Sequence, residues 1–161
     1  MIQNDRVGIF WIAFSISLSL VITLMPLPTS IAAGRPLMYP ATLLFWIMMQ
    51  PTRFGVGVAW LGGLLLDVLF GTPLGEHGLA LALAAYAVVR LRRILWTLAP
   101  LQQLALLLPI FAGYEFMLFW IDGVMGQSSA MWWRWVPVLT TAVIWPVWSA
   151  LLERVALMEV R

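Results

Sequence analysis

Long apolar runs broken by short polar turns dominate the chain. The first run, VGIFWIAFSISLSLVITLM (7–25), is long enough to cross a ~30 Å hydrocarbon core at ~1.5 Å per residue. The prolines of MPLP (25–28) end it. The second run, PLMYPATLLFWIMMQ (36–50), is short for a span, and Pro40 near its start suits a first helical turn, so a short helix is predicted. GVGVAWLGGLLLDVLFG (55–71) and HGLALALAAYAVVRL (77–91) form the third and fourth runs. The fifth covers 101–121 and the sixth 133–152, where Pro137 and Pro146 predict a kink or a late start. Turns are predicted at QPTRF (50–54), GTPLGEH (71–77) and DGVMGQSS (122–129). RLRRILWTLAP (90–100) reads either as an amphipathic segment lying in the membrane interface or as a loop, and the loop is the preferred reading. The expected fold is an all-α bundle of six transmembrane helices in one integral membrane domain over residues 1–161.

Composition supports a chain solvated by lipid. Of its 161 residues, 63% are hydrophobic and 10% charged, with a mean hydropathy of +0.96, whereas soluble domains are about 25% charged. Cysteine is absent, which excludes disulfides, thiolate catalysis and Cys-ligated metals. All nine cationic side chains are Arg, which excludes a lysine Schiff base and a P-loop lysine. The net charge of +2 is too small to argue for nucleic acid as a partner. Trp11, Trp96, Trp132, Trp133 and Trp135 fall near predicted interfaces, as an aromatic belt does.

The arginines set an expected orientation. Six spans put both termini on one side, together with Arg6, Arg53, Arg90, Arg92, Arg93, Arg154 and Arg161, and leave Arg35 and Arg134 on the other. The positive-inside rule then places both termini in the cytoplasm. The first apolar run exceeds the ~7–15 residues of a signal-peptide core, so it is read as a retained helix despite the weak cleavage-like Ser30-Ile31-Ala32.

Asp67 is the main chemical question, since a carboxylate within a span costs about 2.5–3.5 kcal/mol to insert and demands a partner. Gly55, Ala59, Gly63 and Asp67 recur every fourth residue on one helical face, which suits close helix packing. Asp67, Glu115, Asp122, Glu76 and His77 all fall in the outer half of the expected bundle, so no polar path crosses the full depth. Arg35 is the expected partner of Asp67, with the pair clamping spans two and three; a ligand or partner contact and a proton relay are the alternatives. His77 beside Glu76 reads as an ordinary loop-end histidine, since neighbouring helical residues point apart and two ligands do not make a metal site. No nucleophile motif accompanies the carboxylates, so neither an enzyme nor a cofactor is expected.

Several of these residues also form a recognisable order. Arg35-Pro36 opens the second span, and GGLLLDVLFGTPLGEHGLALALAAY (62–86) carries Asp67, Gly71 and Pro73-Leu74-Gly75. Glu115 and Phe119-Trp120 follow, then WPVWSALLERV (145–155). Over nearly its whole length the chain resembles the MreD family of small bacterial rod shape-determining membrane proteins. The matching positions are Arg35, Pro36, Gly63, Asp67, Gly71, Gly75, Glu115, Trp145 and Pro146, with Glu115 standing where a shorter acid is expected.

The resemblance implies a multi-pass protein of the bacterial inner membrane. It would have a six-helix fold similar to the substrate-binding (S) components of energy-coupling-factor vitamin transporters. It also implies a non-enzymatic scaffold in the cell-elongation machinery that binds MreC directly. MreB, RodA, the elongation penicillin-binding protein and membrane lipids would be further members, and the scaffold would help couple MreB filaments to peptidoglycan synthesis. The competing expectation is an S-component-like subunit of a vitamin transporter. Such a subunit would keep a cavity with convergent polar groups. A scaffold would fill that space, and the many bulky residues and few donors favour the filled version. Two surfaces could meet a partner: the small-residue face of span three, if it points outward, and the polar mouth around Arg35 and Asp67. The Arg90, Arg92 and Arg93 cluster would meet a filament protein or bind anionic lipid, and lipid, at about 1 kcal/mol per Arg, is the preferred reading.

Overall fold

The computed structural model describes residues 9–26, 28, 34–126 and 132–157. Among them every regular element is a helix: α1 (Ile9–Leu24), α2 (Met38–Met49), α3 (Val56–Phe70), α4 (Glu76–Leu95), α5 (Pro100–Val124) and α6 (Val136–Leu157). A 3-10 turn, Trp133–Trp135, leads into α6, so the last helix starts late, with Pro137 as its second residue. Residues 127–129 of the expected DGVMGQSS turn lie outside the described residues.

The expected loop at 90–100 is largely helix. α4 continues through RLRRIL to Leu95, and only 96–99 turn the chain. Arg and Leu are good helix formers, and Arg92 and Arg93 occupy the last turn, where cations favour the negative end of the helix dipole. Pro100 then opens α5, and the Gln102 side chain accepts from the Ala99 N–H at 3.2 Å.

α2 is the centre of the molecule. It is apolar on every side, and every residue from Met38 to Met48 is buried, which is the fate of a helix with no polar face. α1, α4 and α6 pack around it, while α3 lies against α4 and α5 bridges α4 and α6. Phe45, Trp46, Phe111 and Trp145 are among its largest fully buried side chains. Phe45 and Phe111 meet Trp145 edge-on, with centroids 6.4 and 6.0 Å away.

Hydroxyls join the helices inside this core. α1 turns Ser15, Ser19 and Thr23 inward and Phe10, Phe14 and Val21 outward. Trp46 Nε1 of α2 donates to Ser15 Oγ at 2.8 Å, and the Tyr39 N–H donates to Thr23 Oγ1 at 3.2 Å. On the opposite flank, Trp148 Nε1 of α6 donates to Thr42 Oγ1 at 2.9 Å, and the Leu37 N–H donates to Thr141 Oγ1 at 2.7 Å. Interhelical bonds of this kind average about 0.6 kcal/mol in lipid, where apolar contact alone gives no hydrophobic gain.

The outer surface is apolar, with Leu61, Leu65 and Val68 of α3 and Val143 and Val147 of α6 exposed. Hydroxyls inward and aliphatics outward is the pattern of a membrane protein. Pro100–Val124 and Trp133–Ala156 are long and apolar enough to cross a membrane, and α1, α2 and α3 are shorter apolar helices.

Candidate functional site

The polar residues gather at one end of the bundle, where α1 and α3 finish and α2, α4 and α6 begin. Asp67, in the last turn of α3, is fully buried there. Directly past the helix end the chain must reverse, and Gly71 takes φ +69°, a left-handed conformation that L side chains rarely adopt. Gly75, at φ +101°, directs the chain into α4. The reversal folds the N-terminus of α4 over the Asp67 carboxylate.

Five donors meet that carboxylate. Oδ1 accepts from the His77 N–H at 2.8 Å, His77 Nδ1 at 2.9 Å and Thr72 Oγ1 at 3.1 Å. Oδ2 accepts from the Gly75 N–H at 2.8 Å and the Gly78 N–H at 3.4 Å. Asp67 therefore caps α4 from the preceding helix, its negative charge set against the positive end of the α4 dipole. Because the carboxylate only accepts, His77 carries its proton on Nδ1.

The clamp expected between Asp67 and Arg35 is not made. Arg35 donates through its two terminal nitrogens to the Thr23 and Met25 carbonyls, which α1 leaves unpaired at its C-terminus. Its role is to cap α1, and Pro36 then breaks the backbone before α2. Asp67 instead clamps α3 to α4. The small-residue stripe does the same: a Cβ on Gly63 would overlap the Gly78 Cα and the His77 carbonyl, so the two backbones touch at this point. The stripe faces into the bundle and offers no outward surface.

Glu115, on α5, is buried beside Arg134, whose Nε lies 3.9 Å from Glu115 Oε2. Arg134 forms its closer ion pair with Asp122, through Nη2. Trp145, by contrast, belongs to the aromatic core and Pro146 to the interior of α6. Among the described residues, no group of three or more His, Asp or Glu side chains is arranged to hold a metal.

These residues surround a cleft of about 330 Å³, lined by Arg35, His77, Tyr114, Glu115, Trp133 and Arg134 together with Leu66, Phe70 and Leu118. Bulky residues line this end without closing it: Leu66, Phe70, Leu118 and Trp133 face the cleft, while Phe45 and Phe111 pack against Trp145 in the core and Trp120 and Trp132 are exposed. His77, Thr72 and Tyr114 were not legible as site residues. The signal for His77 was the pair of glycines between it and Asp67, which allows a reversal tight enough to bring residues ten apart into contact. The His77 ring sits between Phe70 and Tyr114, with centroids 5.6 and 6.3 Å away.

The comparisons agree with the motif order. The family model for the rod shape-determining protein MreD matches residues 4–155. The rod shape-determining protein MreD of Haemophilus influenzae is 26% identical over 138 residues, covering 85% of this chain and 84% of that protein. No solved structure matches. With nearly every residue inside the matched region, the chain belongs to the MreD family of rod shape-determining proteins.

Proposed function

We propose that this protein is a non-enzymatic scaffold of the bacterial cell-elongation complex. It would be a single multi-pass domain of the inner membrane with both termini in the cytoplasm. The arginine asymmetry supports that orientation, with Arg53, Arg90, Arg92, Arg93 and Arg154 at the end of the bundle opposite Arg35 and Arg134. The scaffold binds the membrane helix of MreC and so helps couple MreB filaments to peptidoglycan synthesis by RodA and its penicillin-binding partner.

The observation that carries this reading is where the polar side chains are used. Asp67 and Arg35 are consumed within the bundle, each capping a helix of this chain, while the outward faces of α1, α3 and α6 are aliphatic and aromatic. A partner helix would therefore be met by side-chain packing rather than by an intramembrane ion pair with Asp67. Arg90, which also donates from Nε to Tyr86 at 3.0 Å, would meet anionic lipid together with Arg92 and Arg93.

Co-expression with the MreC of the same genome, followed by native mass spectrometry in detergent, tests the proposal. A stable complex that survives Asp67→Asn is expected. Failure to recover any complex from folded protein would reject direct binding.

A further inference from the structure

Arg35 is a cation without a carboxylate. Its two terminal nitrogens donate to the Thr23 and Met25 carbonyls, while its Nε is buried with no hydrogen-bond partner. Among the described residues no Asp or Glu forms an ion pair with it. The C-terminal end of α1 offers a partial charge of roughly −0.5, which leaves the rest of the guanidinium charge uncompensated. A buried donor without an acceptor is costly, and charged groups in such places are paired.

The other charges of the cleft do not fill this gap. Its lining sets Arg35 and Arg134 against one carboxylate, Glu115. Glu115 pairs with Arg134, which Asp122 also engages. Asp67 is saturated by its donors at the α3–α4 turn. Tyr114 supplies a second donor: it is 2% exposed and lines the cleft, and among the described residues its hydroxyl makes no hydrogen bond. What the cleft lacks is therefore an acceptor that carries negative charge. One uncompensated cation balances a single negative charge, and Glu115 in the same cleft repels a second. The volume, about 330 Å³, lies at the lower end of small-molecule sites.

We propose that this cleft binds a monoanionic oxyanion attached to an apolar body. Its oxygens accept from Arg35 Nε and the Tyr114 hydroxyl, and the apolar part lies against Leu66, Phe70 and Leu118. The oxyanion comes either from a free carboxylic acid or from the phosphodiester of an anionic phospholipid. This proposal stands independently of the partner-helix reading, because it concerns the inside of the cleft and not the outer faces.

The test uses the full chain in non-ionic detergent micelles and in nanodiscs. In micelles, hexanoate and 1-hexanol are titrated against thermal unfolding and against tryptophan emission, to which Trp133 of the cleft contributes. In nanodiscs, phosphatidylglycerol competes with diacylglycerol, which lacks the phosphate, and retained lipid is read by native mass spectrometry. The expected result is at least tenfold preference for the oxyanion in one or both arms. Tyr114→Phe and Arg35→Gln should each reduce that preference at least fivefold. Tyr114→Phe leaves the α1 cap intact, so it decides the matter if Arg35→Gln does not fold. Lipid held by Arg90, Arg92 and Arg93 does not respond to Tyr114→Phe, so only the lipid that this variant loses is counted. Preference in micelles alone identifies a free carboxylate as the source. Phosphatidylglycerol retained by the parent and lost by the variant identifies the lipid. Equal binding of oxyanion and neutral partner by the parent protein in both arms overturns the proposal, and so does full retention of the preference in either folded variant.

Discussion

Replacing Asp67 with alanine should be among the most damaging single changes to this protein. The substitution removes the acceptor for three backbone N–H groups, the Thr72 hydroxyl and the His77 ring, all at the α3–α4 turn. Stranding one buried donor costs about 1–3 kcal/mol, and hydrogen bonds to a charged acceptor are the stronger ones. Several donors lose the same acceptor at once, and some reach one another or water in the space left, so the whole effect is about 3–5 kcal/mol. For a domain of this size it corresponds to a fall of roughly 6–20 °C in melting temperature. The assay is thermal unfolding of purified parent and variant in the same detergent, followed by tryptophan emission. Asp67→Asn should fall between the two, since the amide keeps one acceptor oxygen but turns an N–H₂ toward donors. A melting temperature within about 2 °C of the parent for Asp67→Ala would refute the capping account.

Three further outcomes follow from the geometry. Gly63→Ala should cost about 1–3 kcal/mol by forcing α3 from α4, whereas Gly78→Ala should cost less, because its new Cβ meets mainly the movable Leu64 side chain at 3.2 Å; paired unfolding curves check the asymmetry. Arg35→Met should uncap α1 and speed hydrogen exchange of the amides at 21–25, and exchanging the charges by Arg35→Asp with Asp67→Arg should restore nothing; rescue of stability by the exchange would contradict the separate roles assigned to the two residues. Ser15→Ala should leave the buried Trp46 N–H without its acceptor, lowering stability by about 1–3 kcal/mol in the same unfolding assay.

The helices were legible because apolar runs and proline breaks report directly on local structure. RLRRIL was misread because its arginines suggested an interface or a loop, while their helix propensity and favourable place at the α4 C-terminus kept the helix going to Leu95. The polar residues were found, but not their partners. Arg35 and Asp67 seemed complementary because they are opposite charges on neighbouring elements. Each instead found the helix end nearest to it, where unpaired backbone groups are concentrated: carbonyls for the guanidinium, N–H groups for the carboxylate. Backbone groups have no letter in a sequence, so a search among side chains alone could not find them. The serines of α1 carried no apparent message for a different reason: the Ser15 partner is a side chain, Trp46, 31 residues away, and the pairing matters only once the fold brings the two together.

The enclosure of α2 constrains the order of biosynthesis. A helix of 12 residues rises about 18 Å, well short of a ~30 Å hydrocarbon core, and it cannot rest in lipid as an independent hairpin partner. Two of its tethers come from α6, through pairings 104 and 106 residues apart in the chain. When α2 leaves the ribosome those tethers have not been made, and they cannot form until almost the entire polypeptide has been synthesised. Its seat in the middle of the bundle is thus completed last, and truncation within α6 would leave this enclosed helix without its final wall.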